Sequence, residues 1–175
     1  MNKILPYFFK EPEKEFYVRQ ISKLLKNSPT TISKYLKKLE QDGVLKSERK
    51  LNHLIFKANT ENEKFRRLKT DYNLNLVHES GFVEYLAEEF NHPEVIILFG
   101  SFSKGENIKK SDIDIFILSQ LKKDINLKKF EERMGYKIQL FINSKKDVEK
   151  MKVKNRELLN NIINGKIIYG FWEVF

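Results

Sequence analysis

Residues 95–118 read Val95-Ile-Ile-Leu-Phe-Gly100-Ser-Phe-Ser-Lys-Gly-Glu-Asn-Ile-Lys-Lys-Ser-Asp112-Ile-Asp114-Ile-Phe-Ile-Leu118. Two apolar runs flank a polar loop. Val95 to Phe99 is β-branched and aromatic and stops at Gly100-Ser101. Ile113 to Leu118 has the same character and is entered through two aspartates. Short runs of this composition between turn residues predict buried strands.

The polar residues between those strands suggest chemistry. Gly100 has no side chain, so a ligand can approach its backbone closely. Ser101 adds a hydroxyl at what reads as the start of a short helix, where N–H groups attract phosphate. Asp112 and Asp114 are two apart on an extended segment, so both carboxylates face the same way. Paired carboxylates suit Mg²⁺, which combines one or two carboxylates with substrate phosphates. Phosphate cradle and metal clamp together are the equipment for phosphoryl or nucleotidyl transfer. Lys104 and Ser111, inside the loop, are further candidates for contact with a nucleotide.

Gly100-Ser101, ten residues, then Asp112-Ile-Asp114 resembles the signature of the DNA polymerase β-like nucleotidyltransferases, and most of all their short, minimal branch. The resemblance spans roughly residues 80–175. It implies that Gly100 and Ser101 hold a triphosphate and that Asp112 and Asp114 bind Mg²⁺ or Mn²⁺. It also implies a third carboxylate on the next strand, which here reads Tyr136-Lys-Ile-Gln-Leu-Phe-Ile142. The matching position is Gln139, a neutral oxygen donor that cannot act as a base. Nucleotide binding is therefore better supported by these residues than catalysis.

Composition bounds the alternatives. The chain has 175 residues, 41% of them hydrophobic and 33% charged, enough for one ordinary or two small globular domains. Val95–Phe99 is the longest strictly apolar run, too short to cross a bilayer. Residues 1–9 are broken by Pro6 and do not read as a signal peptide. With no cysteine, disulfides and cysteine-ligated zinc are excluded. A cytoplasmic location is expected. The net charge of +9 is uneven: residues 1–60 hold thirteen Lys+Arg against six Asp+Glu. That excess suits a polyanionic partner.

The basic third has a pattern of its own. Ile4, Leu5, Phe8 and Phe9 predict one helix, and Val18, Ile21, Leu24 and Leu25 a second. Asn27-Ser-Pro-Thr30 is a turn with N-cap residues and Pro at a helix start. A third helix follows, with Ile32, Tyr35, Leu36 and Leu39 expected inside and Thr31, Ser33, Lys34, Lys37 and Lys38 outside. Gly43 ends it. Strands are expected over 44–48 and 52–58, joined by a turn near Arg49-Lys50. Residues 1–60 thus resemble a winged helix-turn-helix domain, which implies double-stranded DNA as partner. The candidate DNA contacts are Ser28, Thr30, Thr31, Ser33, Lys34, Lys37 and Lys38 on the third helix, with Arg49 and Lys50 at the wing tip.

Residues 61–91 read as a helical linker. Beyond Leu118 the pattern predicts a helix over 125–134, a strand over 136–142, one long helix over 144–163 and a closing strand over 166–169. His53, His78 and His92 have no ligand spacing. The expected class is α+β: a winged helix over 1–60, the linker, and a nucleotidyltransferase fold over 92–175 with a small mixed sheet flanked by helices. The expected activity is Mg²⁺-dependent transfer of a nucleoside monophosphate from a nucleoside triphosphate, ATP foremost, to an acceptor the sequence does not name. Some minimal nucleotidyltransferases are antitoxins that adenylylate a HEPN-type ribonuclease, so the resemblance suggests a protein acceptor of that kind. The alternative is a transcriptional regulator whose second domain only binds nucleotide or dimerises.

Overall fold

The computed structural model describes residues 3–51 and 53–173. Contacts divide the chain into two compact units, 1–69 and 70–175. The division falls between Lys69 and Thr70, within the stretch expected as a helical linker.

The first unit opens with α1 (Leu5–Lys10), begun by Pro6 in its first turn. Ile4, Leu5, Phe8 and Phe9 are buried. A two-residue strand, β1 (Phe16–Tyr17), leads into α2 (Val18–Leu25). Ile21 is buried there, but Leu24 is 52% exposed, contrary to the predicted stripe. The short helix ends at Lys26 with φ +50. Its buried partner is instead Ser22, whose hydroxyl donates to the Asn27 carbonyl.

α3 (Pro29–Gln41) is defined at both ends by its own sequence. The Ser28 hydroxyl accepts from Thr31 N at 3.1 Å. At the other end Gly43, with φ +73, reverses the chain. Its N–H donates to Glu40 O at 2.8 Å and that of Val44 to Leu39 O at 2.9 Å, which satisfies the last carbonyls. Ile32, Leu36 and Leu39 are buried. Tyr35 is not; it is 36% exposed and lies outward with the lysines. Replacing Ser28 by Ala is expected to cost about 1 kcal/mol in denaturant unfolding.

β2 (Leu45–Lys50) and β3 (His53–Ala58) make the hairpin, and β1 adds to it, giving an antiparallel sheet of order β1-β3-β2. Arg49 pairs with Leu54 and Lys50 with His53. These residues therefore extend the ladder and do not form the turn. The turn begins at Leu51, with φ +45; residue 52, expected to open the second strand, lies outside the described residues. β1 is too short to show any periodicity, which is why the sequence gives no sign of it.

α4 (Glu63–Glu79) crosses residue 69, where the division falls, and is followed in the chain by α5 (Phe82–Glu89). The second unit continues with β4 (Val95–Phe99), α6 (Gly100–Lys104), β5 (Ile113–Leu118), α7 (Lys128–Met134), β6 (Ile138–Asn143), α8 (Lys145–Lys154), α9 (Arg156–Ile163) and β7 (Lys166–Gly170). The sheet order is β6-β5-β4-β7; only β5 and β6 run parallel. β4 is buried along its whole length because alternate residues feed different layers. Ile96 and Leu98 join Phe82, Leu86, Phe90, Phe130 and Met134 on one face. Val95, Ile97 and Phe99 join Phe116, Val148, Leu159 and Ile162 on the other. Trp172 stacks on Phe116, with ring centroids 5.3 Å apart, and so belongs to this second layer.

Three expectations for this half need correction. The helix over 144–163 is two helices. Asn155 leaves helical geometry (φ −147, ψ 61) and its side chain accepts from Leu158 N, so it stops α8 and caps α9. The seventh helix begins at Lys128 and not at residue 125. β6 begins two residues later than expected, at Ile138.

Candidate functional site

β4 delivers Phe99 directly opposite Asp114 of β5. The chain then turns at Gly100, whose φ is +71. A Cβ built there would overlap Asp114 Oδ2 and stand 3.2 Å from Asp114 Cγ. The Asp114 carboxylate therefore lies against the bare Gly100 backbone. Two motifs fourteen residues apart in the chain form one surface, and only glycine permits it.

Asp114 is half-buried and Asp112 is exposed. Burial, and then the neighbouring charge of Asp112, push the Asp114 carboxyl above the ordinary aspartate range. Ile113, between them, donates its N–H to Lys137 O at 2.8 Å, which anchors the entrance of β5 to the residue before β6. Two repelling carboxylates at one strand entrance are a donor set that a divalent cation would relieve. Among the described residues no group of three His, Cys, Asp or Glu side chains is placed to hold a metal. The reason lies next door: β5 and β6 are parallel, and Asp114 pairs with Gln139. The neutral residue stands beside the carboxylate pair, where a third acidic group would complete the set.

The other predicted residues divide. Ser101 is half-buried in the first turn of α6, and its carbonyl accepts from Glu106 N at 3.0 Å. Lys104 is exposed at the end of that helix. The Ser111 hydroxyl accepts from Ile108 N at 2.9 Å, and Ser111 N donates to Ile108 O at 3.0 Å. Ser111 thus closes the 108–111 turn that delivers Asp112, and its hydroxyl, an acceptor in that turn, keeps its proton to donate elsewhere. Two residues that sequence reading missed brace α6, the helix that Gly100 opens. Ser103 is buried and donates its hydroxyl to Gly100 O at 2.9 Å. Asn73, buried on α4, donates to Phe102 O and to Asn107 Oδ1, both at 2.8 Å. Serine and asparagine within helices leave no periodic trace, so neither was legible.

In the first unit, Lys34, Lys37 and Lys38 are exposed along α3, and Thr30 is exposed at its start. Ser28 and Thr31 are tied to each other, their hydroxyls 2.8 Å apart, as part of the helix cap. Ser33 is half-buried. Arg49 is exposed on β2; Lys50 is paired with Glu15. Tyr35 joins this outward face, which the predicted stripe had assigned to the core.

Residues 1–47 match the family model described as bacterial regulatory protein, arsR family. Residues 82–171 match that of polymerase beta, nucleotidyltransferase. No curated protein matches the chain. The second match takes in 90 of 175 residues, from α5 to the end of β7, and contains both Gly100 and Asp114. No helix among the described residues is long and apolar enough to cross a membrane. The contact between Gly100 and Asp114 is thus a feature of a matched domain that fills just over half the chain: this is a member of the polymerase beta nucleotidyltransferase family, carrying an arsR-type helix-turn-helix ahead of that domain.

Proposed function

We propose that the second domain transfers a nucleoside monophosphate from a nucleoside triphosphate, ATP foremost, to an acceptor hydroxyl, and that the helix-turn-helix holds the protein on double-stranded DNA. The observation that supports transfer is the seating of the Asp114 carboxylate on the Gly100 backbone. Asp112 and Asp114 would hold Mg²⁺ or Mn²⁺, and the bound metal supplies charge neutralisation at the phosphates. Gly100 leaves room for a phosphate at the backbone, with Ser101 as a hydroxyl donor beside it. In the transfer the acceptor oxygen bonds to the α-phosphorus, the bond to pyrophosphate breaks, and the acceptor proton leaves to water. Gln139 is no base for that proton, so the acceptor hydroxyl must be acidic or deprotonated by its own neighbours. A protein side chain, as on a HEPN-type toxin partner, fits that requirement.

Incubation with α-labelled ATP, Mg²⁺ and cell lysate tests this reading. Label on a macromolecule that disappears with the Asp112→Asn/Asp114→Asn protein supports it; bound ATP without transferred label supports the alternative. That second reading, a DNA-binding regulator whose second domain only binds nucleotide or dimerises, is favoured by one residue, Gln139 beside Asp114. Gln139→Glu separates the two. A weak transferase gains about tenfold or more in rate, because a third carboxylate strengthens metal binding and can take the acceptor proton. A binding domain gains metal affinity and no product.

DNA binding makes its own prediction. Affinity for duplex DNA should fall steeply with salt, and replacing Lys34, Lys37 and Lys38 by Ala should flatten the log–log slope by roughly one unit per lysine. Fluorescence anisotropy across a salt series checks it; a flat response in the wild-type protein argues for a protein-docking module.

A further inference from the structure

The sheet of the second domain has two edges, β6 and β7, and they are built differently. An edge strand presents unpaired N–H and C=O groups, which proteins guard with charge, proline or a bulge. β7 opens with Lys166, and its pairing with β4 shifts between Ile96 and Ile97. β6 has no such guard. Ile138-Gln-Leu-Phe-Ile-Asn143 carries no charge and no proline, and it pairs with β5 over six consecutive residues without a shift.

The register shows which backbone groups are left over. Ile113 N donates to Lys137 O, and Ser119 N to Asn143 O. Alternate residues of a parallel strand direct both backbone groups to the same neighbour. Lys137, Gln139, Phe141 and Asn143 therefore face β5, while Ile138, Leu140 and Ile142 face outward. Glu131 Oε1 accepts from Ile138 N at 3.0 Å. Among the described residues nothing accepts from Leu140 N or Ile142 N. Donors and acceptors spaced two residues apart along an extended edge match another extended chain.

Charge narrows the occupant further. β6 starts at a cavity of about 370 Å³ in which Lys109, Lys110, Lys128 and Lys137 outnumber Glu131 and Glu132. Both carboxylates are engaged: Glu131 by Ile138 N and by Lys137 at 3.1 Å, Glu132 by Lys128 at 4.0 Å. Past the other end of β6, Lys145 is paired with Glu94, and Lys146 is exposed. Two copies joined antiparallel along β6 would set the lysine cavity of one near Lys146 of the other, like charge against like. An acidic segment of a different protein meets no such repulsion. The edge also borders the catalytic groups. Gln139 lies beside Asp114, and Lys109-Lys110 lead through Ser111 into Asp112. A strand added to β6 would run roughly 10 Å from β5.

We propose that the β6 edge seats the protein acceptor: an extended acceptor segment adds as a fifth strand through Leu140 and Ile142, with its carboxylates in the lysine cavity beside Asp112. This rests on the transfer reading above and says how the acceptor is recognised.

The test uses the full chain and two fluorescent peptides, an alternating Thr-Val strand ended by three glutamates and the same strand ended by three lysines. Anisotropy reads affinity, and amide hydrogen exchange by NMR reads the edge; neither needs ATP. The glutamate peptide should bind about tenfold or more tightly than the lysine peptide. It should also protect the Leu140 and Ile142 amides, which exchange freely without it. Leu140→Pro removes an N–H that β5 does not use, a substitution edge strands tolerate. Affinity for the glutamate peptide should then fall about tenfold or more. Lys109→Glu/Lys110→Glu, in an exposed loop, should reverse the preference between the peptides, and it tests the proposal if the proline variant fails to fold. The proposal is overturned if neither peptide protects Leu140 and Ile142, or if both bind alike. It is also overturned if those amides are protected in the peptide-free protein and lose protection on dilution, which would make the edge a contact between copies. Transfer to a lysate acceptor undiminished by Leu140→Pro would refute the edge and leave the transfer reading intact. Peptide binding as expected, with no transfer to any acceptor, would refute the transfer reading alone.

Discussion

Replacing Gly100 by Ala is expected to reduce nucleotidyl transfer by about a hundredfold or more while leaving the protein folded. Two causes act together. A Cβ at φ +71 costs about 1–2 kcal/mol of backbone strain. The same Cβ would occupy the place of Asp114 Oδ2, so the carboxylate must move away. Displacement of a catalytic group by about 1 Å commonly costs a factor of about 100. The strain alone is small beside the stability of an ordinary domain. Circular dichroism melting and steady-state transfer, measured on one preparation, separate the two effects. A fully active Gly100→Ala protein would mean that the Asp114 position does not matter.

Asp114→Asn is expected to act in opposite directions on activity and stability. Transfer should fall about a thousandfold, the equivalent of several kcal/mol of charge stabilisation at the phosphates. Thermal stability without metal should rise. The sign follows from the raised carboxyl pKa, caused first by burial and then by Asp112. A group whose pKa is higher in the folded state favours folding most when protonated. That contribution is complete below the ordinary aspartate value of 3.8 and is lost as pH rises through the folded value. At neutral pH Asp114 is therefore a liability to the metal-free fold, and Asn removes it. The melting-temperature gain should be larger at neutral than at acidic pH, and Mg²⁺ should stabilise the wild type more than the variant. A variant that melts below the wild type at neutral pH would show that Asp114 has a structural task.

Much of this site was legible because its residues sit where periodicity and turns are strongest. Val95–Phe99 and Ile113–Leu118 are short apolar runs with sharp boundaries, and the Gly-Ser and Asp-Ile-Asp motifs lie at those boundaries. The direct contact between Gly100 and Asp114 was not legible, since it depends on the register that sets Phe99 opposite Asp114. Gln139 was located because apolar neighbours pin it to its strand, and the register places it beside Asp114. The turn that Ser111 closes was not legible: a serine before a strand can turn its hydroxyl back into its own loop. Asn155 broke an expected helix by the same kind of local capping. In the first unit the helices followed the apolar stripes, except at Leu24 and Tyr35, where a helical spacing continued past the edge of the buried face. The wing turn was displaced by two residues because lysine and arginine pair in a ladder as readily as they occupy a turn.

On the function proposed above, this domain breaks the bond between the α- and β-phosphates of a nucleoside triphosphate. Parallel incubations with α-labelled and γ-labelled ATP test it most directly, with Mg²⁺ and lysate as the acceptor source. α-Label is expected on a macromolecule and γ-label in released pyrophosphate, both abolished in the Asp112→Asn/Asp114→Asn protein. Transfer of the γ-label, or no release of pyrophosphate under any metal or acceptor condition, would contradict it.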